Sequence, residues 1–334
     1  MKKILVLVVL IVSSCAEKST QLYKNYNRGP ALGTSYGLIY LSDHKIDYQK
    51  EIDSVFNAIN VSMSTYLPTS DISRINKGDT TVVVDHMFKE VLALSKTINK
   101  KTKGYFDPTV GVLVNAWGFG PEKQVKMDSA KVDSIMEYVG FHKIRIDAKN
   151  KIIKENPHIY FDFNAIAKGY AIDRLAVMLD KKGITDYLLE VGGEVVAKGE
   201  NVLQKRAWAV GIDDPENEDR RNPKKRIRIK NKALASSGNY RHFRLDTITG
   251  EKYVHTINPF TGFTKNGKTL ATNILASTCA EADAYATAFM AMDIAEAKAI
   301  LKTLPEIDGY LIYIDDSGKT SEFMTDGFKN LIKE

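Results

Sequence analysis

One predicted strand of this chain leads directly into a helix that carries a lysine in its first turn. The apolar run 158–163 predicts the strand, which ends on the carboxylate of Asp162, and Asn164 is a favourable N-cap residue. The apolar spacing that follows predicts a helix over about 165–179, with Lys168 near its start. Helix N-termini favour negative charge and offer free backbone N–H groups, so a lysine there predicts a site for an anion such as phosphate. The alternative is a surface lysine on an ordinary amphipathic helix.

A second predicted helix, which opens at residues 281–287, offers two oxygen ligands on one face. Asp283 and Thr287 are four residues apart and therefore lie one turn from each other. Mg²⁺ prefers oxygen ligands and is usually held by one or two carboxylates together with substrate phosphates. The pair is thus a candidate site for Mg²⁺. The alternative is an exposed aspartate beside a threonine that hydrogen-bonds its own helix.

These two segments belong to a set of eight that together resemble one family, the FAD:protein FMN transferases, or ApbE flavin-transferase family. In chain order the matching stretches are 31–34, 63–66 with 70–76, 104–111 with 115–120, 162–173, 190–194, 235–240, 255–262 and 281–287. Each stretch alone is a weak signal, but eight in the family's order argue against a chance match. Leu32 stands where the family usually has methionine, which conserves apolar volume. Asn258 stands where it often has aspartate, which removes a negative charge near His255.

The resemblance implies that FAD is a substrate of this protein rather than its redox cofactor. Family members cleave the pyrophosphate of FAD, release AMP and join FMN by a phosphoester bond to a threonine or serine of a target flavoprotein. The expected targets are membrane flavoproteins with a Ser/Thr-Gly-Ala-Thr-like acceptor sequence. Phosphoryl transfer needs positive charge, backbone N–H donors and Mg²⁺ to neutralise developing charge. Lys168, the start of its helix, and the pair of Asp283 and Thr287 meet these needs.

The family's functional residues carry over to matching positions of this sequence. By resemblance, the metal ligands are Asp283, Thr287 and the backbone carbonyl of Ala165. The contacts to flavin and adenine would be Leu32, Tyr66, Tyr105, Phe106, Asp107, Asp162, Lys168 and Ile257. The three aromatic side chains in this set could enclose a flavin ring, but aromatic residues at such places are also typical of a hydrophobic core.

The attacking hydroxyl comes from the target protein and needs a proton acceptor. His255 is the first candidate because it lies at the end of a predicted strand, before a turn at 258–262. The unperturbed pKa of histidine, about 6.5, suits proton transfer near neutrality. Asp162 is the competing base, although the resemblance gives it contacts to flavin or metal instead. His255 could also serve only to hydrogen-bond its loop.

The N-terminus is typical of a bacterial lipoprotein signal. Lys2 and Lys3 precede the apolar run 4–12, which is shorter than the ~20 residues that span a bilayer but suits a signal-peptide core. The run meets a lipobox-like sequence that ends at Cys15. We therefore expect residues 1–14 to be removed, Cys15 to carry lipid, and residues 15–30 to form a tether. The transferase domain, 31–334, would then be exported and anchored to a bacterial membrane, facing the periplasm. The alternative is a plain secretory signal with an incidental cysteine.

The composition argues against nucleic-acid binding and does not identify another partner. The net charge is only +6, and the basic residues concentrate in a mixed-charge insert at 213–230 that predicts a solvated loop or hairpin tip. The sequence contains neither a zinc-finger nor an RNA-binding signature. The second of its two cysteines, Cys279, has no partner if Cys15 is lipidated, and we expect it to be a small buried residue.

The predicted elements indicate an α+β fold rather than a regular alternation of strand and helix. Helices are predicted near 48–63, 86–102, 129–138, 280–292 and 294–304, and strands near 35–41, 143–147, 151–154, 187–191, 194–198, 207–212, 225–229, 233–236, 240–245, 253–258, 309–314 and 320–324. With the resemblance, this predicts mostly antiparallel sheets with segregated helices in two closely packed subdomains. The chain has no Gly-x-Gly-x-x-Gly or Walker sequence, so a different scaffold must hold the nucleotide.

Two other functions stay open at this stage. Water could replace the protein hydroxyl, which would make the chain a Mg²⁺-dependent FAD pyrophosphatase that yields FMN and AMP. A tethered, non-enzymatic FAD-binding lipoprotein is the other alternative. The predicted metal pair argues against the latter, since simple binding needs no metal.

Overall fold

The computed structural model describes residues 21–217, 222–239, 243–245, 252–265 and 267–333. In chain order its strands are β1 (Tyr23–Ala31), β2 (Thr34–Ser42), β3 (Ile144–Ile146), β4 (Ile152–Lys154), β5 (Tyr187–Val191), β6 (Glu194–Lys198), β7 (Trp208–Ile212), β8 (Lys225–Ile229), β9 (Lys232–Gly238), β10 (Phe243–Leu245), β11 (Lys252–Val254), β12 (Thr269–Ala276), β13 (Asp308–Ile314) and β14 (Thr320–Met324). Its helices are α1 (Gln49–Met63), α2 (Asp71–Asn76), α3 (His86–Lys101), α4 (Gly111–Ala116), α5 (Ser129–Met136), α6 (Asn164–Lys181), α7 (Cys279–Ala291), α8 (Ile294–Leu301) and α9 (Asp326–Lys329).

Eight of the described strands form one sheet in the order β1-β2-β5-β6-β9-β12-β13-β14. Every neighbouring pair in it is antiparallel. The predicted α+β class with mostly antiparallel sheets is therefore confirmed. Three two-stranded ribbons, β3–β4, β7–β8 and β10–β11, accompany the sheet. The mixed-charge insert lies between β7 and β8, which agrees with a hairpin tip, although residues 218–221 of it are outside the described part.

The large sheet lies between two hydrophobic cores, and its inner strand β12 contributes side chains to both. Successive side chains of a strand point to opposite faces. Ile274 accordingly packs into the large core that α6 and α7 share, whereas Leu275 packs into a second core with Trp208 and Phe328. Both faces of this strand are covered, and the buried Thr272 and Asn273 stand among its apolar residues, so its sequence shows no alternation. For that reason the sequence analysis contains no strand at this position.

The sheet extends further toward the N-terminus than the sequence predicts. Residues 23–30 were expected to form part of a tether, but they belong to β1, which pairs with β2 from Tyr23 to Ala31. Asn25 and Asn27 of β1 are buried and hydrogen-bond inside the molecule, the latter to Asp47. These polar residues hide the strand pattern. Any tether therefore ends before Tyr23, and only its predicted end was wrong.

The junction that leads into α6 also differs from the prediction. The segment 158–163 forms only an isolated bridge, between Tyr160 and Val110, instead of a full strand. Asn164 is the first helical residue rather than the N-cap. Its backbone N–H donates to the Asp162 carboxylate at 2.7 Å, so Asp162 performs the capping expected of Asn164.

A third hydrophobic cluster supports the loop at 255–265. It contains Leu113 and Trp117 from the α4 region, Val132 from α5, and Ile257 from the loop. The Trp117 indole N–H donates to the carbonyl of Gly262 at 2.9 Å. The loop is therefore fastened to α4. None of the described helices has the length and apolarity that a membrane span requires.

Candidate active site

Helices α6 and α7 approach each other closely enough to fix their register. A Cβ atom at Gly169 of α6 would lie 2.3 Å from the Cys279 carbonyl oxygen, so only glycine fits there. The carboxylate of Asp173 accepts the backbone N–H groups of Cys279 and Ala280 at 2.8 and 2.9 Å. The N–H of Gly169 in turn donates to Oδ2 of Asp283 at 3.1 Å. These contacts hold the Asp283 carboxylate beside the first turns of α6. Cys279 is buried, as the sequence predicts.

Three ionisable side chains meet at this contact. Lys168 pairs closely with Oε1 of Glu194, the first residue of β6, and its Nζ lies 4.0 Å from Oδ1 of Asp283. Glu194 and Asp283 are each only 2% exposed, whereas the Lys168 side chain keeps 31% of its surface open. The structure thus joins the predicted phosphate-binding lysine and the predicted metal-binding aspartate in one cluster. It adds a glutamate that the sequence analysis did not select.

The cluster holds more negative than positive charge. Burial disfavours the Lys168 ammonium, but the two carboxylates outweigh this and raise its pKa. Burial also raises the pKa values of Asp283 and Glu194, against the opposing effect of the ammonium. Within the described structure, Oε2 of Glu194 is buried and accepts no hydrogen bond. With two carboxylates against one ammonium and an unused acceptor oxygen, the cluster is chemically suited to receive a cation.

Of the predicted metal ligands, Asp283 belongs to this cluster, and the three ligands do not form a carboxylate cage. Ala165 lies in the first turn of α6, and Thr287 follows Asp283 by one turn of α7; both are half-buried. Across the described ranges, no three His, Cys, Asp or Glu side chains converge as a metal site. A carbonyl, a hydroxyl and a single carboxylate nevertheless form an all-oxygen donor set. That set fits Mg²⁺, which keeps waters and substrate phosphates as its other ligands.

Some N–H groups at the N-terminus of α6, where the sequence predicts an anion site, already have acceptors within the fold. Besides the N–H of Asn164, which Asp162 accepts, the N–H groups of Ile166 and Ala167 both donate to the Phe163 carbonyl, at 3.0 and 2.7 Å. Ala167 makes the first regular helical bond, so Asn164 and Ile166 account for two of the four N–H groups that lack a helical acceptor. Lys168, whose side chain is partly exposed, adds the three donor hydrogens of its ammonium.

Leu32 occupies a hairpin tip next to this cluster. It has φ +50°, an uncommon value for a non-glycine residue, and is followed by Gly33 at φ +74°. The N–H of Gly192 donates to the Ser35 carbonyl at 3.0 Å, and a Cβ at Gly192 would lie 2.8 Å from Thr34. The β1–β2 tip therefore abuts the turn that leads into Glu194.

Asp162 and Tyr66 mark the other side of the α6 N-terminus. Tyr66 is 61% exposed. Partial burial of its phenol and, to a smaller extent, the charge of Asp162 raise the pKa of Tyr66. Asp162 is half-buried, and burial raises the pKa of its carboxyl although the Asn164 N–H opposes this. An exposed aromatic ring beside a carboxyl group is suited to bind a polar aromatic ligand.

The segment 104–107 divides between core and surface. Phe106 is 3% exposed and packs in the large core, so its ring cannot enclose a flavin as the sequence suggested. The Asp107 carboxylate accepts the N–H groups of Thr109 and Phe141 at 2.8 and 3.0 Å and is therefore used within its loop. Tyr105 donates its hydroxyl to Glu296 at 2.6 Å.

The loop of His255 meets this segment through an aromatic contact. The Phe260 ring lies 4.8 Å from that of Tyr105, at 75°, and is 55% exposed. His255 is half-buried, and Ile257 is buried and bridges to Thr264. Asn258 accepts the N–H groups of Phe260 and Thr261 at 2.9 and 3.2 Å. Asn258 therefore builds the turn, a role that its side-chain oxygen shares with aspartate.

The comparisons with known proteins agree with this arrangement. Residues 32–311 match the ApbE family. An FAD:protein FMN transferase of Haemophilus influenzae is 32% identical over 317 residues, which cover 91% of this chain and 90% of the relative. One of Vibrio cholerae is 32% identical over 328 residues, which cover 93% and 96%. The solved flavin transferase ApbE from Vibrio cholerae superposes with a TM-score of 0.81 at 31% identity, over 93% of this chain and 100% of that one. Because sequence and fold both match over most of their length, this chain belongs to the ApbE family.

Proposed function

We propose that this chain is a Mg²⁺-dependent FAD:protein FMN transferase. It would cleave the pyrophosphate of FAD, join FMN by a phosphoester bond to a serine or threonine of a target flavoprotein, and release AMP. Its family and the names of its relatives support the transferase activity. The buried cluster of Lys168, Glu194 and Asp283 is the observation that carries the proposal, because phosphoryl transfer needs positive charge placed beside the phosphates.

The reaction requires two changes at the FMN phosphorus. The hydroxyl oxygen of the target forms a new bond to it, and the bond to the bridging oxygen of the pyrophosphate breaks. AMP leaves with that electron pair, and the hydroxyl proton passes to a base on the enzyme. Lys168, whose side chain is 31% exposed, can offer N–H donors to the phosphates while the Glu194 carboxylate holds one side of its ammonium.

Asp283, Thr287 and the Ala165 carbonyl would hold Mg²⁺. When bound, the ion would supply the neutralisation of charge that develops on the phosphate oxygens. The two carboxylates that face a single ammonium support a cation at this place. FAD would bind along Leu32, Tyr66, Asp162, Lys168 and Ile257, together with the segment 105–107.

His255 and Asp162 are the two candidate bases. The loop of His255 is fastened to α4 through Trp117 and Gly262, so its backbone is well placed to orient an imidazole. Asp162 is the alternative, because it lies at the start of α6 and burial raises the pKa of its carboxyl. His255 is our first choice, since the Asp162 carboxylate already accepts the N–H that begins α6.

The cellular setting is part of the proposal. Cys15 and the signal 1–14 lie outside the described residues, and their sequence supports export and lipid anchoring at a bacterial membrane, facing the periplasm. The partners would be membrane flavoproteins with a Ser/Thr-Gly-Ala-Thr-like acceptor sequence, and not nucleic acid.

One incubation distinguishes the three functions. Purified protein is mixed with FAD and Mg²⁺, with and without an acceptor domain, and the mixture is analysed for AMP, FMN and protein-bound flavin. A transferase gives AMP and bound flavin only when the acceptor is present. AMP and free FMN without acceptor would identify a pyrophosphatase, and unchanged FAD would identify a binding protein.

A further inference from the structure

Glu194 is the one member of the buried cluster for which neither a cap nor a turn gives a reason. It begins β6 directly after Gly192 and Gly193, both with positive φ. One of its oxygens has no hydrogen-bond partner in the described structure, and a buried, unsatisfied carboxylate oxygen costs free energy. A glutamine or an apolar side chain would avoid that cost. Fold stability therefore does not account for this carboxylate.

The distances within the cluster suggest what Glu194 does. The Lys168 ammonium is in close contact with Oε1 of Glu194 but stays 4.0 Å from Asp283. Asp283 is oriented independently, because its other oxygen accepts the N–H of Gly169 at 3.1 Å. Lys168 is thus drawn away from Asp283 by a second carboxylate. Without Glu194, the nearest opposite charge for the buried ammonium would be Asp283 itself.

We propose that Glu194 is a positioning residue that holds Lys168 away from Asp283, so that the Asp283 carboxylate stays available as a ligand for Mg²⁺. This inference rests on the proposed function. Removing the negative charge at residue 194 lets Lys168 pair fully with Asp283 and compete with the ion. Losing such a supporting residue typically weakens metal binding about 10- to 100-fold.

Calorimetric titration of Mg²⁺ into the full chain, with no flavin present, tests this directly. Glu194→Gln should bind Mg²⁺ about 10- to 100-fold more weakly than wild type. Glu194→Asp keeps the charge but shortens the side chain, and it should also bind more weakly, because it cannot hold the ammonium in the same place. Glu200→Gln makes the same change at a glutamate that is 43% exposed, beyond the other end of β6, and as the matched control it should bind like wild type.

The double variant Lys168→Met/Glu194→Gln separates positioning from direct ligation. With no ammonium left to occupy Asp283, its Mg²⁺ affinity should return close to that of wild type. An affinity as low as that of Glu194→Gln alone would show that Glu194 is itself a ligand and overturn the inference. Wild-type affinity in Glu194→Asp would overturn it too, by showing that net charge alone matters.

Enzyme kinetics give a second readout and keep the two proposals apart. In Glu194→Gln, the Mg²⁺ concentration for half-maximal transfer should rise, while the rate at saturating Mg²⁺ should recover most of the wild-type value. If wild type transfers FMN and binds Mg²⁺, and Glu194→Gln does both equally well, this inference alone is overturned. A wild type that does neither overturns the proposed function and this inference with it.

Discussion

At the scale of single residues, the site depends on charges that are buried together. Lys168 and Asp283 were predicted as members of two separate sites, one for phosphate and one for metal, and the structure places them in one cluster. The sequence analysis did not select Glu194, because the local Gly-Gly-Glu sequence gives no indication that the glutamate will be buried. Its burial follows from the packing of α6 and α7 against β6, which depends on residues far apart in sequence. Asp107 shows the opposite case, since its carboxylate serves its own loop.

Asp283→Ala should abolish Mg²⁺-dependent cleavage of FAD while FAD binding survives in part. The variant loses the carboxylate that would hold the ion, and with it several kcal/mol of transition-state stabilisation. Turnover at saturating FAD and Mg²⁺ is the measurement, with FAD affinity determined separately. Asp316→Ala removes a fully exposed carboxylate and serves as control. Unchanged turnover in Asp283→Ala would contradict the metal assignment.

His255→Ala should slow flavin transfer by roughly 10²–10⁴-fold, the usual effect of removing a positioned acid–base group. FAD affinity should change little, because the imidazole would face the target hydroxyl. Single-turnover transfer to a purified acceptor domain measures the first quantity, and flavin fluorescence the second. His44→Ala, at an exposed histidine, is the control. If His255→Ala transfers at the wild-type rate, the histidine is structural and Asp162 becomes the candidate base.

At the scale of elements, the sequence predicts helices and strands with a regular apolar pattern well. It does not predict strands that are buried on both faces or that contain buried polar residues. Helices α1, α3, α6 and α7 have long amphipathic or Ala-rich stretches, and their predicted bounds lie within a few residues of the observed ones. β12 was missed because both its faces are buried, and β1 because of its buried asparagines. A periodic pattern of apolar residues arises when only one face of a helix or strand is buried. The pattern is absent where both faces are buried, or where buried polar side chains find hydrogen-bond partners inside the protein.

Gly169→Ala should destabilise the protein, although alanine normally favours a helix interior by about 1 kcal/mol. The new methyl would lie 2.3 Å from a backbone carbonyl of α7, so the two helices must move apart. Overpacking of this kind costs roughly 1–3 kcal/mol in the free energy of unfolding. Urea unfolding measures it, and Val177→Ala on an exposed side of α6 is the control. A stabilised Gly169→Ala variant would show that the helices are not in contact there.

The Asp173 carboxylate, which accepts two N–H groups at the start of α7, should make stability depend on pH. Burial raises the pKa of Asp173 from its usual value to about 7, although the N–H groups of Ala280 and Cys279 oppose this. The folded state then binds this proton more tightly than the unfolded one, whose aspartate pKa is about 3.9. The resulting stabilisation is fully present below about pH 4 and is lost as the pH rises toward 7.

Asp173→Asn removes the titrating group but keeps an acceptor oxygen. From acidic to neutral pH, wild type should lose stability relative to this variant. Thermal unfolding of both proteins at several pH values is the measurement. A constant difference between them over the whole range would show that Asp173 titrates normally.

At the scale of the whole molecule, the candidate site draws on segments from nearly the entire described chain. The β1–β2 tip, the loop of Tyr66, the start of α6, the β5–β6 turn, the loop of His255 and α7 all contribute. Helices α6 and α7 meet because both pack into the same core on one face of the large antiparallel sheet. The resemblance to the family identified these segments in the sequence, but only the fold shows which of them are in contact. Substitutions at the edges of this fold should therefore leave the site intact.

Cys15→Ser tests how the fold relates to its anchor. Cys15 precedes the first strand, β1, which begins at Tyr23, and the candidate site contains nothing before Leu32. The variant should lose its lipid and leave the membrane fraction, because a lipobox needs its cysteine thiol. FMN transfer to a soluble acceptor domain in detergent-free buffer should stay at the wild-type rate, since no site residue changes. Cell fractionation and the transfer assay measure the two outcomes. Membrane association equal to that of wild type would count against the lipobox, and lost transfer with normal folding would show that the N-terminal segment takes part in the site.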